Sequence, residues 1–232
     1  MMRIPTTRMP AAKLLATTAL GLALVATSAV AADGTYDGAP GSSYTGLRGS
    51  LAFEGSINGT DKTTTPPTTI KAGAGTGGGA SVYWGWHLPY NFKTEVELLY
   101  RYQPLSDLSA GGSSVKLGGY AQTFAPMANV YWTLPLDIGV SPFVGGGVGY
   151  AWNELGINNI AGVALPATAH DDDWRFAYNL MAGLSVPVSK GTRITGMYRW
   201  LHEDIGGDCS TNLFCSGHAA TSSIDIGLEI DL

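Results

Sequence analysis

From Thr221 to Leu232 the chain alternates almost without error. Ile224, Ile226, Leu228, Ile230 and Leu232 fall on one parity, and Asp225, Gly227, Glu229 and Asp231 fall on the other. A period of two marks an extended strand with one apolar and one polar face. The same rule recurs upstream and predicts eight strands. The first covers about Tyr44–Asn58, with Leu47, Gly49, Leu51, Phe53 and Ile57 on the apolar side and Arg48, Ser50, Glu54 and Ser56 opposite. The second covers about Thr76–Leu88, with Val82, Trp84, Trp86 and Leu88 on the apolar side. The third covers about Phe92–Gln103 and sets Phe92, Val96, Leu98, Tyr100 and Tyr102 against Lys93, Glu95, Glu97 and Arg101. The fourth, about Val115–Thr133, is the least regular. Pro126 interrupts it and Gln122 falls on the apolar parity, which admits a bulge there. The fifth, about Ile138–Asn153, carries Val140, Val144, Val148, Tyr150 and Trp152 on its apolar side. The sixth, about Trp174–Val186, carries Trp174, Phe176, Tyr178, Leu180 and Leu184. The seventh, about Thr192–Glu203, sets Ile194, Tyr198 and Trp200 against Arg193, Thr195 and Arg199. The eighth is the terminal strand.

The connections alternate in length. Leu88–Asn91, Leu134–Asp137 and Pro187–Gly191 are short and carry turn residues. The other four, about Gly59–Gly75, Pro104–Ser114, Glu154–Asp173 and Asp204–Ala220, are long and polar. The stretch Thr60–Thr69 is Thr/Pro-rich and reads as an exposed loop. Long-short alternation, with both chain ends on the short side, is the plan of a barrel that crosses a bacterial outer membrane with its short turns in the periplasm. The expected fold is therefore all-β, an eight-stranded antiparallel up-and-down transmembrane β-barrel. Aliphatic residues face lipid and charges face a polar lumen. A soluble lipocalin-type barrel would need the inverse assignment and would leave Arg48, Glu95, Glu97 and Arg199 outside.

The N-terminus bears on the compartment. Arg3, Arg8 and Lys13 precede the apolar run Leu14–Ala26 and the small-residue site Ala29-Val30-Ala31. This is the layout of a cleaved secretory signal peptide, with cleavage expected after Ala31 or, as the alternative, Ala32. Residues 1–31 are then the signal, 32–43 a short periplasmic segment and 44–232 the barrel. No other segment offers about 20 consecutive apolar residues for a spanning helix. A membrane location must therefore use strands.

Composition narrows the function classes. There are 32 glycines, 11 tyrosines and 6 tryptophans, and only 13% of residues are charged. The formal net charge is −5, and the signal peptide holds three of the positive charges, so the mature chain is more acidic still. Nothing points to nucleic-acid binding. Two cysteines, Cys209 and Cys215, lie close together in an exported chain. They predict a local disulfide, since two cysteines alone cannot complete a zinc shell.

The aromatic residues sort by height. Tyr100, Tyr102, Tyr150, Trp152, Trp174, Phe176, Tyr198 and Trp200 fall toward the outer ends of their strands. Trp84, Trp86, Tyr90, Phe92 and Trp132 fall toward the inner ends. Two such belts are expected where amphipathic rings meet the membrane–water boundaries.

The signal peptide, the eight alternating strands and the ending Ile224-Asp225-Ile226-Gly227-Leu228-Glu229-Ile230-Asp231-Leu232 together resemble the small outer-membrane β-barrel superfamily. That group includes the OmpA barrel domain and the opacity-type, porin-family surface antigens of Gram-negative bacteria. The Gly-rich stretch Pro142–Tyr150 is similar to the corresponding strand of the surface antigens. The chain ends in Leu232, where such proteins end in the Phe or Trp that the barrel-assembly machinery reads. The resemblance implies an outer-membrane location and a structural or interactive role: envelope integrity, surface antigen or adhesin-like loops. It implies as partners outer-membrane lipid and lipopolysaccharide, the assembly machinery during biogenesis, and a host or surface ligand at the long loops.

Inward charges balance by sign. Arg48, Lys93, Arg101, Arg175, Arg193 and Arg199 stand against Glu54, Glu95, Glu97, Asp225, Glu229 and Asp231. The seventh strand supplies arginines to the carboxylates of the eighth, which predicts cross-strand ion pairs. A barrel of this size is just wide enough for side chains to fill. A packed, salt-bridged plug is the favoured reading, and a narrow small-solute channel is the alternative. A lipid-modifying enzyme is a more distant one. His170, His202 and His218 belong to no recognisable nucleophile motif, and His202 falls on the lipid parity. No enzyme activity and no cofactor are expected. Asp171-Asp172-Asp173 does not match an EF-hand and reads as a solvated acidic loop. Gly77-Gly78-Gly79 is followed by no Lys-Ser/Thr pair and is no phosphate loop.

Overall fold

The computed structural model describes residues 39–61, 68–110, 113–136, 139–160, 162–164, 174–205 and 217–232. The strands are β1 Ser43–Asp61, β2 Thr68–Ala74, β3 Gly77–His87, β4 Phe92–Ala110, β5 Ser113–Thr133, β6 Ser141–Ile160, β7 Val163–Ala164, β8 Trp174–Ser189, β9 Thr192–Ile205 and β10 Gly217–Asp231. Each pairs antiparallel with its neighbour, in the order β10-β9-β8-β6-β5-β4 and then β2 or β3 to β1. The pairing of β1 with β10 closes the sheet on itself. β2 and β3 together form one stave, since both lie between β1 and β4, and β7 is a two-residue addition to the end of β6. The described residues thus form a ring of eight staves with no free edge at its seam, as a spanning sheet requires.

The register sets the bore. Gly46, Tyr83, Glu97, Met127, Gly149, Ala177, Glu203, Ala219 and Ile57 form one continuous paired row around the ring. The row returns to β1 eleven residues above Gly46, and one of these is the extra residue of a bulge, so the stagger is ten. Eight strands at that stagger tilt strongly and enclose a lumen that side chains fill.

The alternation places Leu47, Val82, Val96, Val148, Leu180 and Ile226 on the outside, all about half-exposed. It places Arg48, Glu95, Glu97, Arg199 and Asp225 inside, all buried. This is the inside-out pattern expected of a barrel in lipid.

Three expectations are corrected. First, Ile57 faces the lumen and not lipid. A register shift between Phe53 and Ser56 inverts the parity of β1 above it. Second, Pro126 makes no bulge. The pairs Phe124–Trp152 and Met127–Gly149 keep one alignment across it, and Pro126 remains in register with Leu98. The shifts fall instead at Leu105/Asp107 and at Gly118/Gly119. Third, the long connections are partly strand. β4 and β6 run well past the expected ends, to Ala110 and Ile160, β1 and β5 exceed theirs by a few residues, at Asp61 and Ser113, and β2 is a strand inside the expected loop Gly59–Gly75. Residues of the expected loops therefore join strand residues in a cap inside the barrel's outer end. It contains Ile57, Ala72, Leu105, Leu117 and Ile157. Two smaller differences follow. β6 begins at Ser141, which leaves Val140 in a bend, and β1 begins at Ser43. Gly41 donates to the His87 carbonyl (2.8 Å), which ties the N-terminal segment to β3.

Candidate functional site

The lumen is the candidate site, and its side chains sort into layers. At the short-turn end β4, β9 and β10 bring Lys93, Arg193, Glu229 and Asp231 together. Lys93 Nζ and Arg193 Nη1 both donate to Glu229 Oε1, at 2.9 and 2.7 Å. Arg193 also donates to Asp231 at 3.0 and 3.2 Å. His87 Nε2 lies 3.1 Å from Asp231 Oδ1. The donor atoms of His87, Glu229 and Asp231 lie within 4.8 Å of one another, a spacing a metal ion could use. Lys93 and Arg193 already neutralise both carboxylates there, so a divalent cation would face two resident positive charges.

The central layer is denser. Arg48 holds Glu95 through both nitrogens of its fork, at 2.6 and 2.7 Å, and reaches Glu97 at 3.3 Å. Arg199 grips Glu97 from the opposite wall in the same way, at 2.8 and 2.9 Å. Its Nε donates to Asp225 at 2.8 Å. Five charges on β1, β4, β9 and β10 thus form one chain across the bore, with two bidentate links joined by single contacts. Neutral groups complete it. Asn129 donates to Glu97 (2.7 Å) and accepts from Asn179 (3.1 Å), Tyr131 donates to Glu95 (3.1 Å), and Ser223 donates to Asp225 (2.8 Å). The Arg48 guanidinium lies over the Tyr83 ring at 3.6 Å, a cation–π contact in a desolvated setting. Above this layer Leu99, Ala125, Met127, Ala151, Ala177 and Leu201 fill the bore.

The expected charge residues separate as follows. Arg48, Glu95, Glu97, Arg199 and Asp225 form the central chain, and Lys93, Arg193, Glu229 and Asp231 form the layer below it. Arg193 and Arg199 choose different acids, so Arg199 is not Glu229's partner. Arg101 is buried but belongs to neither layer. Arg175 is half-buried on β8. Glu54 sits at the β1 bulge, and its side chain lies outside the described residues. The expected disulfide Cys209–Cys215 also lies outside them, as do His170 and Asp171-Asp172-Asp173. Sequence reasoning missed His87, Tyr44, Tyr83, Asn129, Tyr131 and Asn179. All six fall on the inward parity of their strands, so a rule admitting neutral polar residues to the lumen would have found them.

The aromatic residues expected in belts lie on the outer face. Phe92 pairs with Trp132 beside the Leu88–Asn91 turn, with Trp84 and Trp86 on the neighbouring strand. At the other end Tyr100, Phe124, Trp152 and Trp174 form one paired row across four strands. Tyr102 stacks on Tyr120, Tyr150 meets Phe176 edge-on, and Trp200 packs on Tyr178. Tyr198 is exposed nearby and shares a hydrogen bond with Ser222 (2.8 Å). Gln122, the polar residue on the apolar parity, accepts from the Tyr100 hydroxyl at 2.8 Å. Its amide is thereby partnered at the boundary.

Comparison with known proteins agrees with this architecture. The family model described as "Outer membrane protein beta-barrel domain" matches residues 17–220. A curated relative, the "Outer membrane protein" of Gluconacetobacter diazotrophicus, is 26% identical over 132 residues, which is 50% of this chain and 32% of the relative. The chain thus spans about a third of the length of that relative. Among solved structures, Neisserial surface protein A superposes with a TM-score of 0.50 at 11% identity, covering 81% of this chain and 96% of that one. The outer membrane protein OprG of Pseudomonas aeruginosa gives a TM-score of 0.48 at 12% identity, covering 83% and 97%.

Proposed function

This chain belongs to the outer membrane protein β-barrel domain family and resides in the outer membrane, and from that premise we propose that it is a surface protein with a structural and interactive role. The barrel is a rigid, plugged post in the membrane, and its outer hairpins present a surface to lipopolysaccharide, to other cells or to a host.

The observation that carries this reading is the filled bore. The Arg48–Glu95–Glu97–Arg199–Asp225 chain spans the lumen wall to wall, and its members are buried. A solute path would have to break bidentate contacts in a desolvated setting, which is costly for each charge left unpaired. The strands that extend past the outer aromatic row support the interactive half of the proposal. They project a stiff hairpin surface rather than short caps.

The test is a strain lacking the chain. It should become sensitive to detergent, regain resistance with the wild-type protein, and show unchanged lipid A masses throughout. A variant with the outer hairpins cut back should restore resistance and lose surface binding. A null strain with intact resistance and unaltered surface binding would overturn the proposal, and altered lipid A masses would favour the enzyme alternative.

A further inference from the structure

Arg101, on β4, stands apart from the ion-pair layers. It is 2% exposed, and among the described residues none of its three guanidinium nitrogens meets an acceptor. Arg101 is in register with Thr123, and Thr123 with Asn153, so the three side chains form a row across β4, β5 and β6. Thr123 Oγ1 donates to Asn153 Oδ1 at 2.6 Å, and the Asn153 amide nitrogen is left without an acceptor. Glu203, buried on β9, faces Arg101, Asn153 and Thr123, and its Oε1 has no donor. The row lies between two apolar layers, with Leu99 and Leu201 on the periplasmic side and Leu105 and Leu117 on the outer side.

The polar atoms in this layer do not match one another. Four donor nitrogens face one free acceptor oxygen. Glu203 is the charge that faces Arg101, but among the described residues no acceptor lies within hydrogen-bond reach of the guanidinium, whose planar fork is shaped for two oxygens of one anion. We propose that the row Arg101–Thr123–Asn153, with Glu203 opposite, is a binding site for a small monoanionic oxyanion. Arg101 takes two of its oxygens and the Asn153 amide donates to a third. Glu203 excludes dianions by charge, and its free oxygen accepts from a hydroxyl on the same guest. Dihydrogen phosphate and hydroxy-carboxylates meet all of these demands, whereas acetate lacks the hydroxyl.

The test uses the full mature chain refolded in detergent micelles. The Arg101 Nε–H resonance is followed by NMR during titration with inorganic phosphate below its second ionisation, at constant ionic strength set by sodium chloride. Saturable movement of that resonance is expected, with weaker binding of acetate. Asn153→Ala should raise Kd about tenfold, the effect of losing one hydrogen bond to a charged group. Glu203→Gln should admit acetate and phosphate alike. Arg101→Gln should abolish phosphate-dependent protection against heat. If that variant does not fold, the wild-type titration and Asn153→Ala decide the matter alone. A resonance that ignores phosphate, or one that follows ionic strength only, overturns the site.

Discussion

Arg199 is the residue on which the lumen turns. It is fully buried and satisfied on all sides, by Glu97 through its fork and by Asp225 through Nε. Removing one member of such a pair strands the others in a medium that solvates them poorly. Arg199→Ala is expected to cost roughly 3–5 kcal/mol in reversible urea unfolding. A double-mutant cycle with Glu97→Gln should return a large coupling, and one with Glu229→Gln should return nearly none, since Glu229 bonds to Lys93 and Arg193 instead. Much of this site was legible in the sequence. Parity alone put nearly all the charged lumen residues on the inner face, because side chains alternate with a period of two whatever their chemistry. The choice of partners was not legible. It depends on the stagger around the ring, and that sums small register offsets which no single strand reveals. Arg101 illustrates the limit. Its inward parity was plain, but that it faces Glu203 and not the carboxylates of the lower layers is set by the height of β9 relative to β4.

At the scale of the strand, two features explain sequence choices that parity does not. The first is the glycine run of β6. A Cβ at Gly147 would collide with Asn129 Oδ1, and one at Gly145 with the Tyr131 ring. Both partners are fixed in the central layer, Asn129 by Glu97 and Asn179, and Tyr131 by Glu95. The bare wall of β6 makes room for the large side chains of β5. Gly147→Ala should therefore destabilise by about 1–3 kcal/mol as an overpacking change, visible as a lowered urea midpoint with an unchanged m-value. The second feature is the bulge in β1. It divides a lipid-facing lower half from an upper half whose exposed parity includes Ser56. Charge scanning should report this division. Val96→Arg, on the outer face of β4 midway between Phe92 and Tyr100, is expected to cost roughly 2–4 kcal/mol. Ser56→Arg, above the bulge, should cost little. Equal costs in lipid vesicles would mean that the band facing lipid has been misplaced. The bulge itself left no mark in the sequence, since Phe53-Glu54-Gly55-Ser56 reads equally well as continued alternation.

The whole molecule is a closed ring with a filled bore and an outer end that continues past the membrane. Closure was legible from eight alternating segments and from short turns interleaved with long connections. The height of the outer wall was not, because polar hairpins with glycine and threonine have the composition of loops. Their strand character comes from pairing with neighbours and from Ile57, Leu105, Leu117 and Ile157 meeting inside the ring. A sealed ring should migrate as a compact species on gels in detergent until boiled, and Gly147→Ala should lower the temperature at which that band is lost. The most direct test of the central claim is the conductance of the refolded wild-type chain in planar bilayers. A bore closed by the Arg48–Glu95–Glu97–Arg199–Asp225 chain predicts a baseline without steps, with openings emerging only in Arg199→Ala. Sustained single-channel steps from the wild-type protein would contradict it.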